Sequence, residues 1–258
     1  MVANDLSIED RVAVVIGGTS GIGRALALGL ARHGAHVVAT GRRAKEVDAT
    51  ASEIEALGRR TVRCTADARQ RETIDKLRDA VLAQFGQVDI LINAAGYTFK
   101  EPTVTVDEVR FSALMDTHLM SVLRACQSFF DLLVASRHGR IINIASLGSF
   151  LAFYQVAAYC AAKTAILSLT RSLACEWAEY GIAVNAIAPG VFPTELNRNL
   201  IMDTARGQEI LMRTPMKRFG NPEELVGLAV LLSSDAVSFL TGQCIAVDGG
   251  YLASGVNS

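Results

Sequence analysis

The chain has 258 residues, 50% of them hydrophobic and 20% charged, with a formal net charge of −1. It is long enough to bury one large core; without a basic block it does not suit nucleic acid, and without a run of roughly 18 apolar residues it does not span a membrane as a helix. The five cysteines (Cys64, Cys126, Cys160, Cys175, Cys244) are scattered, so reduced thiols in a cytoplasmic protein and no metal site are expected. The first ten residues carry Asp5, Glu9 and Asp10 and do not read as a signal peptide.

Arg11 to Ile16 is a short β-branched apolar run, the mark of a strand buried on both faces. It leads into Gly17-Gly-Thr-Ser-Gly-Ile-Gly23 and then a helical pattern through Leu26, Leu30 and Ala31. Glycines at such a corner let the backbone approach a pyrophosphate, and the helix N-terminus adds free N–H groups and the positive end of its dipole. Gly17, Thr19, Ser20, Gly21, Ile22 and Gly23 are therefore cofactor-binding candidates; the plainer reading is a tight strand–helix corner. The spacing is Gly-x-x-x-Gly-x-Gly, which differs from the generic dinucleotide fingerprint.

His36 to Thr40 is a second strand that exits into Gly41, Arg42 and Arg43. In dinucleotide-binding folds a carboxylate at this point grips a ribose 2′-hydroxyl, and a cation accepts a 2′-phosphate. The carboxylate is missing here and two guanidinium groups follow, so NADP(H) is favoured over NAD(H); the alternative is a pair of solvated arginines. Arg60 to Thr65 reads as a third strand, followed by Asp67 and Ala68, where a loop reaches an adenine ring or an aspartate merely caps a turn. Ile74, Leu77, Val81 and Phe85 follow at helical spacing. Val88 to Ile92 is the fourth strand, closed by Asn93-Ala94-Ala95-Gly96, small residues beside which a cofactor can lie.

Thr105-Val-Asp-Glu108 reads as a capping box that opens a helix through about Val134, containing His118. The fifth strand, Arg140 to Ala145, ends at Ser146, and a loop with Leu147, Phe150, Leu151, Phe153 and Tyr154 forms pocket wall or core. Tyr159 and Lys163 share one helical face at i, i+4. A phenol titrates near 10, and a neighbouring cation favours its ionised form. The helix carrying them continues to Tyr180. Ile182 to Ala188 is a sixth strand ending in Pro189-Gly190. Residues 191–220 lack strand character and read as a substrate lid, with Arg206 or Arg213 as a carboxylate partner. Asn221-Pro222-Glu-Glu224 caps another helix, and Gln243 to Val247 is the last strand. Strands alternating with helices predict a single-domain (residues 1–258), α/β, Rossmann-type, doubly wound parallel sheet of about seven strands with helices on both faces.

These motifs, in this order, resemble the short-chain dehydrogenase/reductase family over essentially the whole chain: the Gly17–Gly23 turn, Asp67, Asn93-Ala-Ala-Gly96, Ser146, Tyr159-x-x-x-Lys163, Asn185, Pro189-Gly190 with Thr194, and Asp248-Gly-Gly250. The resemblance implies that Tyr159 is the acid or base. Lys163 lowers its pKa and holds the nicotinamide ribose, Ser146 orients the substrate oxygen, and Val191 and Thr194 contact the nicotinamide amide. Three positions depart from the family: Ile16 stands for a threonine, Ala94 for an asparagine, and His118 for the catalytic-relay asparagine, whose helix is locally irregular. His118 is expected to stay neutral and brace the strand before Ser146. Within the family, Asn143 to Phe150, Glu176-Trp177 and Arg218 to Pro222 look most like bacterial sugar-acid and polyol dehydrogenases, such as the gluconate and deoxygluconate enzymes. A 3-oxoacyl-thioester reductase and a silent NADP-binding sensor are the alternatives; the lack of a G-x-S-x-G elbow excludes a serine hydrolase. The helix carrying Tyr159 is apolar on much of its circumference, so a homo-oligomer (tetramer or dimer) through the helices at about 107–135 and 155–180 is expected.

Overall fold

The computed structural model describes residues 6–195 and 197–255. Six parallel strands form one sheet: β1 (Val12–Ile16), β2 (His36–Thr40), β3 (Ile90–Asn93), β4 (Arg140–Ile144), β5 (Ala183–Pro189) and β6 (Cys244–Val247), in the spatial order β2-β1-β3-β4-β5-β6. Helices α1 (Gly21–Arg32), α2 (Ala44–Ala56), α3 (Arg71–Phe85), α4 (Glu108–Met115), α5 (Ser121–Ala135), α6 (Ala157–Trp177), α7 (Arg198–Ile201), α8 (Ala205–Arg213) and α9 (Val226–Ser233) connect them. Strand side chains alternate between two cores. Val12, Val14, Ile16, Leu91, Ile141 and Val184 pack against α3, α5 and α6, whereas Ala13, Val15, Ile90, Ile92, Ile142 and Ile187 pack against α1 and α9. Burial on both faces is why the strands read as unbroken apolar runs.

The sheet order reverses between β1 and β3, which opens a crevice at the carboxyl ends of the strands. Register places that edge in one row: Ile16 pairs with Asn93, Asn93 with Asn143, and Asn143 with Ala186. Among the described residues no helix is long and apolar enough to cross a membrane.

Three expected elements differ. Arg60–Thr65 runs alongside β2 but forms no ladder, because its polar groups are diverted to side chains. The Arg60 N–H donates to His36 Nδ1 (3.1 Å) and the Cys64 carbonyl accepts from Thr40 Oγ1 (2.7 Å), leaving backbone bonds only at its ends, Val37 N–H to the Arg60 carbonyl and Ala66 N–H to the Gly41 carbonyl. Thr105 does not cap the long helix either; it closes a 3₁₀ turn (Thr103–Thr105), and Asp107 caps α4 by accepting from the Val109 N–H at 3.1 Å. The long helix is also not continuous. A π-turn over Asp116–Met120 separates α4 from α5 and turns His118 inward. Asn221 does open α9, through a 3₁₀ turn in which Glu224 accepts from the Asn221 N–H at 2.8 Å.

Helix α1 crosses the start of α9 at Gly29, where an added Cβ would overlap the Val226 side chain, whereas Gly227 faces open space. Gly29→Ala is therefore expected to destabilise the fold by roughly 1–3 kcal/mol through overpacking. Gly227→Ala should be neutral or stabilising by up to about 1 kcal/mol through helix propensity. Urea midpoints of both variants check this; equal shifts would show that backbone propensity, not packing, governs Gly29.

Candidate active site

The carboxyl edge of the sheet borders a cleft of about 850 Å³ that runs from Arg42 and Arg43 past the glycine turn to Ser146 and Tyr159, and on to Leu200, Ile201 and Ile210. At its first end the N–H groups of Gly17 and Gly18 both donate to the Thr40 carbonyl at 3.0 Å, fixing the turn to the end of β2. Gly17 has φ +79°, and a Cβ there would come within 2.6 Å of the Ala95 backbone. Ser20 precedes α1 without using its hydroxyl as a cap, and no acidic residue occupies the first helical turn. Gly21 lies against Thr194, with 3.3 Å between a built Cβ and the threonine methyl. Thr194 is itself fixed by Asn197, whose Oδ1 accepts from the Thr194 N–H at 2.8 Å.

A bare backbone cradle at a helix N-terminus, with cations at its mouth, fits the phosphates of a dinucleotide. Gly41 adds a steric reason for the missing carboxylate, since a Cβ there would lie 2.6 Å from Thr19 Oγ1. Arg42 has no hydrogen bond or ion pair among the described residues, whereas Arg43 pairs with Glu46 at 3.3 Å. Asp67 borders the cleft, but Arg69 holds both its oxygens (3.0 and 2.6 Å) and keeps its carboxyl below the usual range.

Every cofactor candidate except one borders the cleft: Gly17, Thr19 to Gly23, Arg42, Arg43, Asp67, Ala68, Ala94, Gly96, Pro189, Gly190, Val191 and Thr194. Asn93 does not. It faces the α5–α6 layer, donating to Asn143 Oδ1 at 2.9 Å, and Asn143 in turn donates to Thr170 Oγ1 at 2.9 Å. Asn93 thus ties β3 and β4 to α6. Asn185 is likewise a fastener, joining β5 to the segment before β6 through the Leu240 carbonyl and the Gln243 N–H. Asp248 packs on Gly190, where a Cβ would approach its Cα at 2.7 Å.

At the far end α6 starts just before Tyr159 and is stapled to β4. The Lys163 ammonium donates to the Ile144 carbonyl at 2.5 Å, and Ser149 Oγ donates to the Lys163 carbonyl at 2.7 Å. Burial lowers Lys163 to about 8. Its Nζ stands 5.8 Å from the centre of the Tyr159 ring. Burial pushes the Tyr159 phenol above its ordinary value, while a hydrogen bond with Ser146 pulls it back. Burial is the larger of the two effects. Ser146 Oγ also accepts from the Gly148 N–H at 3.1 Å, which sets its rotamer.

His118 is 2% exposed. Its ring meets Tyr159 edge-on, 5.4 Å between centroids at 88°. Nε2 lies 2.6 Å from the Tyr97 carbonyl, so the Nε2–H tautomer donates there. The brace therefore holds the loop after β3, not the strand before Ser146 as expected, because the π-turn carries the ring toward Gly96. A Cβ at Gly96 would overlap the His118 ring. Burial, reinforced by the Lys163 charge, lowers His118 to about 3, so it is neutral. Nδ1 is buried without a partner among the described residues.

Sequence reasoning missed Tyr97, Phe99, Lys100, Val156, Asn197 and Ile210 as cleft walls, since only the folded loops bring them together. Of the loop after Ser146, Leu147 and Phe153 border the cleft, whereas Phe150 and Tyr154 are exposed. Arg206 borders it too; Arg213 does not, and stacks 5.2 Å from the Tyr251 ring.

Residues 17–252 match a family model described as enoyl-(acyl carrier protein) reductase. The chain belongs to the short-chain dehydrogenase/reductase family. It is an oxidoreductase of that family. It is 40% identical over 254 residues to 2-dehydro-3-deoxy-D-gluconate 5-dehydrogenase of Escherichia coli K12, covering 98% of this chain and 100% of that one. It is 38% identical over 248 residues to gluconate 5-dehydrogenase of Gluconobacter oxydans 621H, covering 96% and 97%. A gluconate 5-dehydrogenase from Burkholderia cenocepacia J2315, solved in complex with NADP and tartrate, superposes with a TM-score of 0.93 at 35% identity, covering 98% and 99%.

Acid should destabilise this dehydrogenase through His118. Its folded value of about 3 lies below the ordinary imidazole value of 6.5, so between 6.5 and 3 the unfolded state binds the proton and the folded state does not. Stability is lost as pH falls from 6.5 toward 3, by roughly 1.4 kcal/mol per unit for this one group. Between pH 7 and 4.5 the wild type should lose about 2–3 kcal/mol more than His118→Asn in urea unfolding. Equal losses would show that His118 is protonated in the fold.

Proposed function

We propose that the protein is an NADP(H)-dependent dehydrogenase/reductase that interconverts a ketone and a secondary alcohol on a small sugar acid or a polyol-like relative. The observation that carries this is the convergence of Ser146, Tyr159 and Lys163 at the end of a cleft whose other end is a glycine cradle beside unpaired Arg42. The relatives named for gluconate and deoxygluconate chemistry, and the relative holding NADP and tartrate, support the same substrate class.

NADP(H), when bound, supplies or accepts the hydride. The Gly17–Gly23 turn and the α1 N-terminus would hold its phosphates, Arg42 with Arg43 its 2′-phosphate, and Val191 and Thr194 the carboxamide end. In the reducing direction Tyr159 gives its phenolic proton to the substrate oxygen, and in the oxidising direction it removes that proton. Ser146 holds the same oxygen. Lys163, titrating near 8, favours the phenolate once it forms and would hold the ribose of the bound cofactor. His118 stays neutral beside Lys163, which spares the pair a like-charge repulsion, and keeps the Tyr97 loop in place. The chain acts as one catalytic domain in the cytoplasm, with residues 191–220 as lid. It assembles as a homo-oligomer through α4–α5 and α6, near which Val109, Met120 and Tyr180 are left exposed. A 3-oxoacyl-thioester reductase shares the Ser–Tyr–Lys set but gives no role to the cation in the lid.

Tyr159→Phe keeps the ring, so NADPH binding followed by fluorescence should persist while kcat falls roughly 100- to 10,000-fold. A loss below about tenfold would assign the proton to another group. Arg42→Ala should reduce the preference for NADPH over NADH in kcat/KM by about ten- to a hundredfold, the worth of a charge-assisted phosphate contact. Equal use of the two cofactors by the wild type would sink the cofactor assignment.

A further inference from the structure

We propose that Arg206, on the lid helix α8, is the residue that selects an anionic substrate by binding its carboxylate while Ser146 and Tyr159 hold the reacting oxygen. The proposal rests on the sugar-acid reading above and assigns the acid end of that substrate to one side chain.

The charges around the cleft are unevenly spent. The single carboxylate among the described lining residues, Asp67, lies at the cofactor end and is held by Arg69. The opposite end carries Lys100 and Arg206 with no acidic neighbour in the lining. Lys100 is exposed and lies 6.0 Å from the Tyr154 ring, so it adds positive potential at the mouth but no fixed geometry. Arg206 is half-buried and has no hydrogen bond or ion pair among the described residues. The other candidate on this helix, Arg213, is spent on Tyr251.

Helix stability does not account for Arg206. It sits in the first turn of α8, where the macrodipole disfavours a cation, and that turn holds no acidic residue. Packing fixes where the residue stands. Its neighbour Gly207 presses on α7, where a Cβ would overlap the Ile201 carbonyl oxygen. The Gly207 N–H is tied to Thr204 Oγ1 at 3.0 Å. Ile201 and Ile210 then bury against Leu147 and Tyr251, next to Ser146. The segment is thereby docked on the loop after Ser146, and of its arginines Arg206 alone among the described residues borders the cleft. Apolar walls from Phe153, Leu147, Ile201 and Ile210 surround that end and lower the local dielectric, which strengthens a guanidinium–carboxylate pair. A planar fork matches a carboxylate through two parallel bonds, which a lysine cannot do.

The test compares a panel of keto-aldonic acids with their primary amides, which keep the shape and remove the charge. NADPH oxidation gives kcat and KM for wild type, Arg206→Gln and Arg206→Lys. The readout is the ratio of kcat/KM for an acid to that for its amide. This ratio should fall about ten- to a hundredfold in Arg206→Gln, through KM for the acid, and recover in part in Arg206→Lys. A ratio within threefold of wild type in Arg206→Gln overturns the assignment. So does a loss confined to kcat and equal for acid and amide, which marks a lid residue of purely structural effect. A wild type that reduces amides as well as acids overturns both this proposal and the sugar-acid reading. A wild type that prefers acids, with that preference intact in Arg206→Gln, overturns this proposal alone.

Discussion

Lys163 is held out of water with its ammonium on the Ile144 carbonyl, and much of the catalytic end depends on that contact. It fixes the start of α6 against the end of β4, and so sets Tyr159 relative to Ser146. Burial lowers Lys163 from the ordinary 10.5 to about 8, so keeping it charged at neutral pH costs about 3 kcal/mol relative to the unfolded chain. Unfolded chains hold the extra proton between 8 and 10.5, and this penalty fades as pH rises through that window. A fold with marginal net stability tolerates such a cost where function requires it.

The neighbours of Lys163 are arranged to limit that cost. His118 is kept neutral by its own burial and, second to that, by the Lys163 charge. Its ring is admitted only because residue 96 is glycine, and the π-turn over Asp116–Met120 supplies the inward direction. Such π-bulges frequently mark functional positions because they displace a single side chain without ending the helix. Ser149 and Ser146 use their hydroxyls on the same corner, one on the Lys163 carbonyl and one on the Gly148 N–H.

The two ends of the cleft are built on different physics. At the cofactor end, backbone does the work: Gly17 approaches Ala95, Gly21 faces Thr194, and Gly41 yields to Thr19. At the other end, side chains from separate parts of the chain do it, from the loop after β3, the loop after β4 and helices α7 and α8. The first kind of site is written in a short stretch of sequence, the second is not.

That division separates what the sequence determined from what the tertiary structure decided. Apolar β-branched runs specified all six strands to within two residues, because a strand buried in the sheet tolerates little else. Local motifs marked the glycine turn, Ser146, and the Tyr159–Lys163 pair, which one helical turn of spacing puts on the same face. Local pattern failed where partners are distant. Arg60–Thr65 alternates like a strand, but His36 and Thr40 take its hydrogen bonds. Thr105 fits a capping box, but the chain turns once more and Asp107 caps instead. Asn93 sits among cofactor-facing residues, yet the two-residue alternation of a strand points it into the α5–α6 layer, toward Asn143. Arg206 and Arg213 are equivalent in sequence, and only packing separates them. The Gly207 contact sets one on the cleft wall, and Tyr251 captures the other, because a long flexible cation goes wherever the fold leaves it a surface.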